Sequence, residues 1–168
     1  TNLQVSDGII LLALVENGTE PKILDLREIL VNYLAHQKEV ITRRTRFELS
    51  KAEERAHILE GLVLALANID EVIRIIKESS DKNDAANKLT TAFELTDKQA
   101  NAILEMRLQR LTSLEVEKLK EELDALHATI ADLKDILANE QRVLDMIKAD
   151  LLAIKDKYPS ERKTEISV

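Results

Sequence analysis

The side chains with the most direct potential for acid–base or metal chemistry are three histidines, in a chain of 168 residues that lacks cysteine. His36, His57 and His127 show no H-x-x-x-H spacing, which would place two imidazoles on one helix face around a metal ion. Without cysteine there is no thiol nucleophile and no thiolate ligand. Three isolated glycines cannot build a phosphate-binding loop. We therefore predict no catalytic, cofactor-binding or metal-binding residue in this sequence.

Arginines cluster in two stretches of the chain. The segment "TRRTRF" holds Arg43, Arg44 and Arg46, and the segment "MRLQRLTSLE" holds Arg107 and Arg110. A formal net charge of −7 argues against nucleic-acid binding over the whole surface. For Arg107 and Arg110 we weigh a phosphate contact against a structural role. We favour the structural role, in which the aliphatic stems pack on the protein and the charges stay in water.

The elements that position these side chains are predicted to be long helices. Charged residues make up 33% of the sequence and aromatic residues 2%, a composition typical of coiled coils. The longest apolar run, residues 9–15, is far shorter than the roughly 20 residues that span a bilayer, and it lacks the flanks of a signal peptide. We therefore expect no membrane contact and a cytoplasmic location.

Residues 1–25 differ from the rest and predict a short β-hairpin. The apolar run "GIILLALV" and the segment "KIL" flank "ENGTEP". Within that linker, Asn17-Gly18 is a strong hairpin signal because both residues tolerate positive φ. Pro21 would confine its strand to an edge, since proline has no N–H to donate.

Two long segments then repeat apolar residues at alternating steps of three and four, the pattern of a coiled-coil seam. The outgoing arm, residues 26–69, has polar members in the middle of its seam: Leu26, Leu30, Tyr33, Gln37, Val40, Arg44, Phe47, Lys51, Glu54, Ile58, Leu62, Ala65 and Ile69. The returning arm, residues 113–158, has one polar member in its seam: Val116, Leu119, Leu123, Leu126, Ile130, Leu133, Leu137, Glu140, Leu144, Ile147, Leu151, Ile154 and Tyr158. Pro159 ends this arm and leaves a tail, residues 159–168.

The matching lengths of the arms favour a mainly α fold built on a long antiparallel coiled-coil hairpin. One arm of an interrupted parallel dimer is the alternative. Residues 70–112, between the arms, predict a small globular head of three short helices: "DEVIRIIKES", "AANKLTTAFEL" and "DKQANAILEMRLQRL". Capping-box spacings open the third helix at Thr96 and Gln99, and the returning arm at Thr112 and Glu115. The head either packs on the arm ends alone or also contacts a second copy, and we favour the second interpretation.

One level of the arms combines polar seam residues and is predicted to be an elbow. In an antiparallel hairpin Glu140 would face the neighbourhood of Ile41, within one turn of Gln37 and Arg44. A buried Arg44–Glu140 pair would fix the register at some cost in stability. Asn139 is a weak helix former, so it predicts a break in the returning helix. A flexible joint and a register-setting polar layer in a straight rod both remain open.

Three stretches resemble the A subunit of bacterial DNA gyrase, a type IIA DNA topoisomerase. They are "RRTRFELSKAEERAHILEGLVLALANIDEVI", "LTDKQANAILEMRLQRLTSLE" and "ILANEQRVLDMIKADLLAIKDKYPSERKTEI", and the resemblance covers nearly the whole chain. The motifs "HILEGL" and "MRLQRLT" are closer to gyrase than to topoisomerase IV. Ser113 stands where many gyrases have glycine, which puts no functional residue in doubt because serine also tolerates a helix start.

The resemblance implies that residues 1–25 end the tower domain and that the arms and head form the exit gate, or C-gate. The parent enzyme would supercoil DNA by ATP-dependent double-strand passage, using ATP and magnesium and a gyrase B partner. This fragment would need no cofactor and would lack the catalytic tyrosine. It would form a homodimer through the heads, with DNA passing through the enclosed cavity and binding weakly. The head residues that we predict at the dimer contact are Leu89, Phe93, Ile103, Leu104, Met106 and Arg107.

Three alternatives compete with this interpretation. The chain could be a free-standing coiled-coil adaptor that binds protein partners, or a fragment of a topoisomerase IV A-type subunit. It could also be a nucleic-acid-binding helical arm. That last function would require a basic stripe and stacking aromatic side chains, and the sequence shows neither.

Overall fold

The computed structural model describes residues 8–16 and 18–160, and this part of the chain is mainly helical. Its elements are, in order, β1 (Leu12–Val15), β2 (Glu20–Ile23), α1 (Leu26–Ala67), α2 (Ile69–Lys77), α3 (Lys82–Phe93), α4 (Asp97–Leu104), a 3-10 helix (Leu108–Leu111), α5 (Ser113–Ala138) and α6 (Glu140–Lys157). This content confirms the predicted class, mainly α with a short β-hairpin near the N-terminus. The chain divides into two compact units. Unit 1 comprises Thr1–Arg44 and Asn139–Val168, and unit 2 comprises Thr45–Ala138.

Unit 1 contains the β-hairpin. Strands β1 and β2 are antiparallel, with Leu12 opposite Ile23 and Val15 opposite Glu20. Gly18 in the turn has a φ of 83°, a conformation that favours glycine, so the predicted turn is confirmed at this residue. Residues 1–7 and Asn17, which also belong to the predicted hairpin, lie outside the described residues.

A capping box that was not predicted from the sequence starts α1. The Asp25 carboxylate accepts the Glu28 N–H at 2.7 Å, and the Glu28 carboxylate accepts the Asp25 N–H at 3.0 Å. This reciprocal pair satisfies two backbone donors that the first turn of a helix leaves free. The signal was present as the D-x-x-E spacing. Elsewhere in unit 1, apolar side chains of α1 and α6 are buried: Ile41, Val143 and Ile147.

In unit 2, α1 and α5 run antiparallel. Glu53 on α1 pairs with Lys134 on α5 at 3.0 Å, whereas Glu60, two turns further along α1, pairs with His127 at 2.9 Å. Arg55 on α1 also pairs with Glu122 on α5, at 2.9 Å. From residue 53 to residues 55 and 60 of α1, the partner on α5 moves back from residue 134 to residues 122 and 127, the direction of an antiparallel pair. Because the two arms pair within one chain, the structure favours the predicted hairpin over one arm of a parallel dimer.

The two predicted seams differ in how well they match unit 2. All predicted members of the returning seam in α5 are buried or half-buried, which confirms that seam. The outgoing seam is confirmed at Leu62 and Ala65, which are buried. It is wrong earlier in α1, where Ala52, Ala56 and Leu59 are buried while Phe47 and Lys51 are exposed. Alanines let two helices approach closely, so large leucines on one helix can pack against small side chains on the other. The strict alternation of three and four steps passed through Lys51 and Ile58 instead of Ala52 and Leu59, which lie about 100° away around α1.

The head packs on the arm helices of unit 2 through one apolar cluster. Residues of α1, α2, α3, α4 and α5, together with the α3–α4 connection, form its buried part: Leu59, Leu62, Ala65, Val72, Ile75, Leu89, Leu95, Ala100, Ile103 and Leu119. Hydrogen bonds in both directions between Thr96 and Gln99 confirm the capping box predicted at the start of α4. The head is therefore continuous with the core of its own arm.

Candidate self-association surface and helix break

The third head helix is shorter than predicted. The expected helix extended to residue 111, but α4 ends at Leu104 and Arg107 has an extended backbone, with φ −76° and ψ 145°. In a continuous helix Met106 would lie roughly 160° around the axis from Leu104, so the two side chains could not pack on the same cluster. The turn after Leu104 lets both of them do so.

The segment that follows exposes two large apolar side chains. Leu108, in the 3-10 helix, is 82% exposed, and Leu114, in the first turn of α5, is 60% exposed. The predicted start of α5 is confirmed, since the Val116 N–H donates to the Thr112 carbonyl at 3.0 Å. The predicted capping box there is wrong, because no hydrogen bond between the Thr112 hydroxyl and the Glu115 N–H is found among the described residues. The hydroxyl instead donates to the Gln109 carbonyl at 3.2 Å. We call residues 108–114, with their two exposed leucines, the head patch.

The six residues predicted at the dimer contact divide into two groups. Leu89 and Ile103 are buried in the cluster of their own chain, at 0% and 4% exposure, and have almost no surface left for a partner. Four residues keep accessible atoms: Phe93, Leu104, Met106 and Arg107. The dimer contact remains a prediction, and it now depends on these four residues and the head patch. Leu108, which the prediction did not include, is the most exposed large apolar side chain among the described residues of the head.

In the described part of the chain, Arg107 and Arg110 share no hydrogen-bonding partner. Arg107 is exposed and Arg110 is half-buried. Within the residues that the structure describes, neither guanidinium group makes an ion pair or a side-chain hydrogen bond. The structural role, in which the stems cover the head and the charges are hydrated, remains a prediction.

The histidines lie in separate surroundings. His57 Nε2 is 2.8 Å from Thr96 Oγ1, and His127 Nε2 is 2.9 Å from Glu60 Oε1. Across residues 8–16 and 18–160, no group of three histidine or carboxylate side chains is arranged to hold a metal ion. The same residues include no helix that is both long and apolar enough to cross a membrane.

Asn139 separates α5 from α6, at the position where the sequence predicts a helix break. Its backbone is extended, with φ −117° and ψ 101°, and its side-chain oxygen accepts the Gln141 N–H at 3.0 Å. Asparagine is a weak helix former but a favourable N-cap, because its side chain satisfies a free backbone donor. One residue therefore both ends the continuous helix and starts the next one.

The ion pair at this level differs from the predicted one. Glu140 and Arg44 are both exposed, so the predicted buried pair between them is wrong. Lys38 donates a hydrogen bond to Glu140, and this bond and the lysine charge hold the pKa of the Glu140 carboxyl below its ordinary value. On α1 the buried residues near this level are Ile41 and Thr45, which leaves Arg44 facing solvent. Gln37 is half-buried, and the elbow itself remains a prediction.

Comparison with known proteins identifies the family. A family model described as the A subunit of DNA gyrase/topoisomerase IV matches residues 1–152. The DNA gyrase A subunit of Halalkalibacterium halodurans is 57% identical over 167 residues, which are 99% of this chain and 20% of that protein. The corresponding gyrase proteins of Leptospira biflexa and Streptococcus pneumoniae are each 52% identical over 168 residues, which are 100% of this chain and 20% of each protein. This chain therefore spans about a fifth of the length of the curated relatives it matches. On these similarities, the chain belongs to the family of DNA gyrase/topoisomerase IV A subunits.

Proposed function

We propose that this chain is the arm and head of a gyrase-type A subunit, where it forms the exit gate, or C-gate, of a homodimeric type II topoisomerase. It is a structural and moving part of ATP-dependent DNA supercoiling by double-strand passage. ATP and magnesium act elsewhere in the parent enzyme, which also contains the gyrase B subunit. The chain has no catalytic role of its own.

The observation that carries this proposal is the head patch. Large apolar side chains at 82% and 60% exposure, Leu108 and Leu114, lie in consecutive elements where the head joins α5. Their burial against a second copy would remove apolar surface from water twice, because a twofold interface uses the same patch on both copies. Half-buried Met106 lies just before them in the chain and adds to the accessible apolar surface.

In this proposal the transported DNA passes through the enclosed cavity with weak direct binding. The net charge of −7 disfavours a tight phosphate contact over the whole chain. Arg43, in the densest basic stretch, is already paired with Glu39 on the same helix. Any affinity of this chain for DNA should therefore fall steeply as the salt concentration rises.

Sedimentation equilibrium tests the homodimer. The chain at micromolar concentration should sediment as a dimer or as a concentration-dependent mixture of dimer and monomer. Monomer at every concentration in this range would contradict the proposed contact. The measurement requires no other protein, so it reports on this chain alone.

A cleavage assay tests the absence of catalysis. Supercoiled plasmid incubated with the chain should stay uncut, with or without ATP and magnesium. Linear or nicked DNA above a control without protein would show that the chain cuts DNA by itself and would contradict the structural role.

A further inference from the structure

A buried polar side chain joins the head to the arm in unit 2. Gln99, in α4, is 7% exposed, and its Nε2 donates to the His57 carbonyl of α1 at 2.7 Å. Its Oε1 accepts the Thr96 N–H at 3.1 Å, which is half of the capping box of α4. A single side chain therefore both caps α4 and attaches it to the backbone of α1.

A second contact joins the same residues. Thr96 Oγ1 lies 2.8 Å from His57 Nε2 and also accepts the Gln99 N–H at 3.4 Å. His57 is thus held through its ring and through its carbonyl, by two neighbouring positions at the start of α4. Because hydrogen bonds have preferred directions, two of them fix the orientation of α4 on α1 more closely than apolar packing alone does.

Gly61 provides the space for this arrangement. A methyl group on Gly61 would lie 2.8 Å from both Cβ and Cγ of Gln99, closer than carbon atoms approach without displacement. Glycine in the middle of a helix is less favourable than alanine, because it has more backbone freedom to lose on folding. Its presence one helical turn after His57 is explained by the side chain of Gln99 that lies against it.

We propose that Gly61, Gln99, Thr96 and His57 form a polar latch that fixes α4 on α1, so that the head and the adjoining part of the arm move as one body. The buried cluster around α4 supplies the attraction, and the latch supplies the orientation. The head patch follows α4 in the chain. If the chain acts as the gate proposed above, the latch makes the head patch follow the arm when the gate opens.

Hydrogen exchange in α4, measured by mass spectrometry, tests the latch in three variants: Gly61→Ala, Gln99→Gly and the double variant. Each single substitution should accelerate amide exchange in α4 on the order of tenfold, because each removes or displaces the buried hydrogen bonds. The matched control is Lys98→Gly, which adds the same backbone freedom to α4. It removes the exposed Lys98–Glu54 pair at 3.0 Å, which joins the same two helices and contributes little because water screens it.

The double variant distinguishes the latch from general damage to the fold. Its exchange in α4 should be no faster than in Gln99→Gly alone, because glycine at position 99 removes both the Cβ and the Cγ that a methyl group at position 61 would meet. Additive acceleration in the double variant, or unchanged exchange in Gly61→Ala, would overturn the latch. If Gly61→Ala does not fold, Thr96→Val takes its place, because it removes the hydroxyl and keeps the shape of the side chain. Unchanged exchange in α4 of Thr96→Val would also overturn the latch. Sedimentation equilibrium on the same variants reads dimerisation separately, so the latch and the gate can fail independently.

Discussion

Replacing Leu108 with glutamate tests the contact on which the proposed gate depends. The leucine is 82% exposed in one chain, so nearly all of its apolar surface is available for burial by a second copy. Full burial of a leucine contributes roughly 1.5–3 kcal/mol, and a twofold contact buries two of them. The expected loss is therefore roughly 3–6 kcal/mol, which corresponds to a dissociation constant about 10²- to 10⁴-fold higher.

Sedimentation equilibrium measures this change, and the high exposure of Leu108 makes it a better choice than Leu104 or Met106. Those two side chains pack against the intrachain cluster, so a charge there would destabilise the head itself. Leu30→Glu is the matched control, because Leu30 is also largely exposed, at 56%, but lies in unit 1. Circular dichroism should show both variants folded. An unchanged dissociation constant for Leu108→Glu, or an equal loss in the control, would refute the assignment of the contact to the head patch.

Three further predictions concern the arms. Ala56→Leu should lower the free energy of unfolding by about 1–3 kcal/mol in urea titrations, because Ala56 is 3% exposed and three more carbons would overpack its site. The control Ala67→Leu, at the exposed end of α1, should change the free energy of unfolding little. Asn139→Ala should destabilise the chain by about 1 kcal/mol through loss of the α6 cap, and Asn139→Asp should retain most of that stability in the same thermal melts. The lowered pKa of Glu140 means that its pair with Lys38 stabilises the folded chain above the ordinary carboxyl pKa and stops doing so as pH falls through the lowered value. The urea midpoints of the wild type and Glu140→Gln should therefore converge below that pH and in high salt, and a constant difference between them would contradict this account.

Features carried by large apolar residues and by turn or capping chemistry could be predicted from the sequence. The returning seam in α5 follows leucines at nearly every turn, so only one face of this helix could be predicted as the buried one. Gly18 and the Thr96–Gln99 spacing each require a particular backbone conformation, and both are found. The break at Asn139 was also predictable, because a weak helix former with a capping side chain stands in an otherwise regular pattern.

Features that depend on small side chains or tertiary contacts could not be predicted. The buried face of α1 in unit 2 relies on Ala52 and Ala56, which a search for large apolar residues passes over. The end of α4 at Leu104, after which Met106 packs against the cluster, could not be predicted from an apolar pattern that continues to Leu111. The wrong partner for Glu140 followed from the same error in the seam, since a shift of one residue turns Arg44 to solvent.

The most direct test of the central claim is the distance between two copies of the head. The chain has no cysteine, so Ser113→Cys introduces a single site for a spin label inside the head patch while both exposed leucines remain. Pulsed electron spin resonance on the labelled dimer should give a short distance between the two labels, which disappears when excess unlabelled chain is mixed in. A label at Ser50, an exposed position on α1 in the arm, should give a longer distance or none. Two results would contradict self-association through the head. One is a dimer in solution whose labels at position 113 show no dipolar coupling, and the other is a distance between labels at position 50 that is shorter than the distance at position 113.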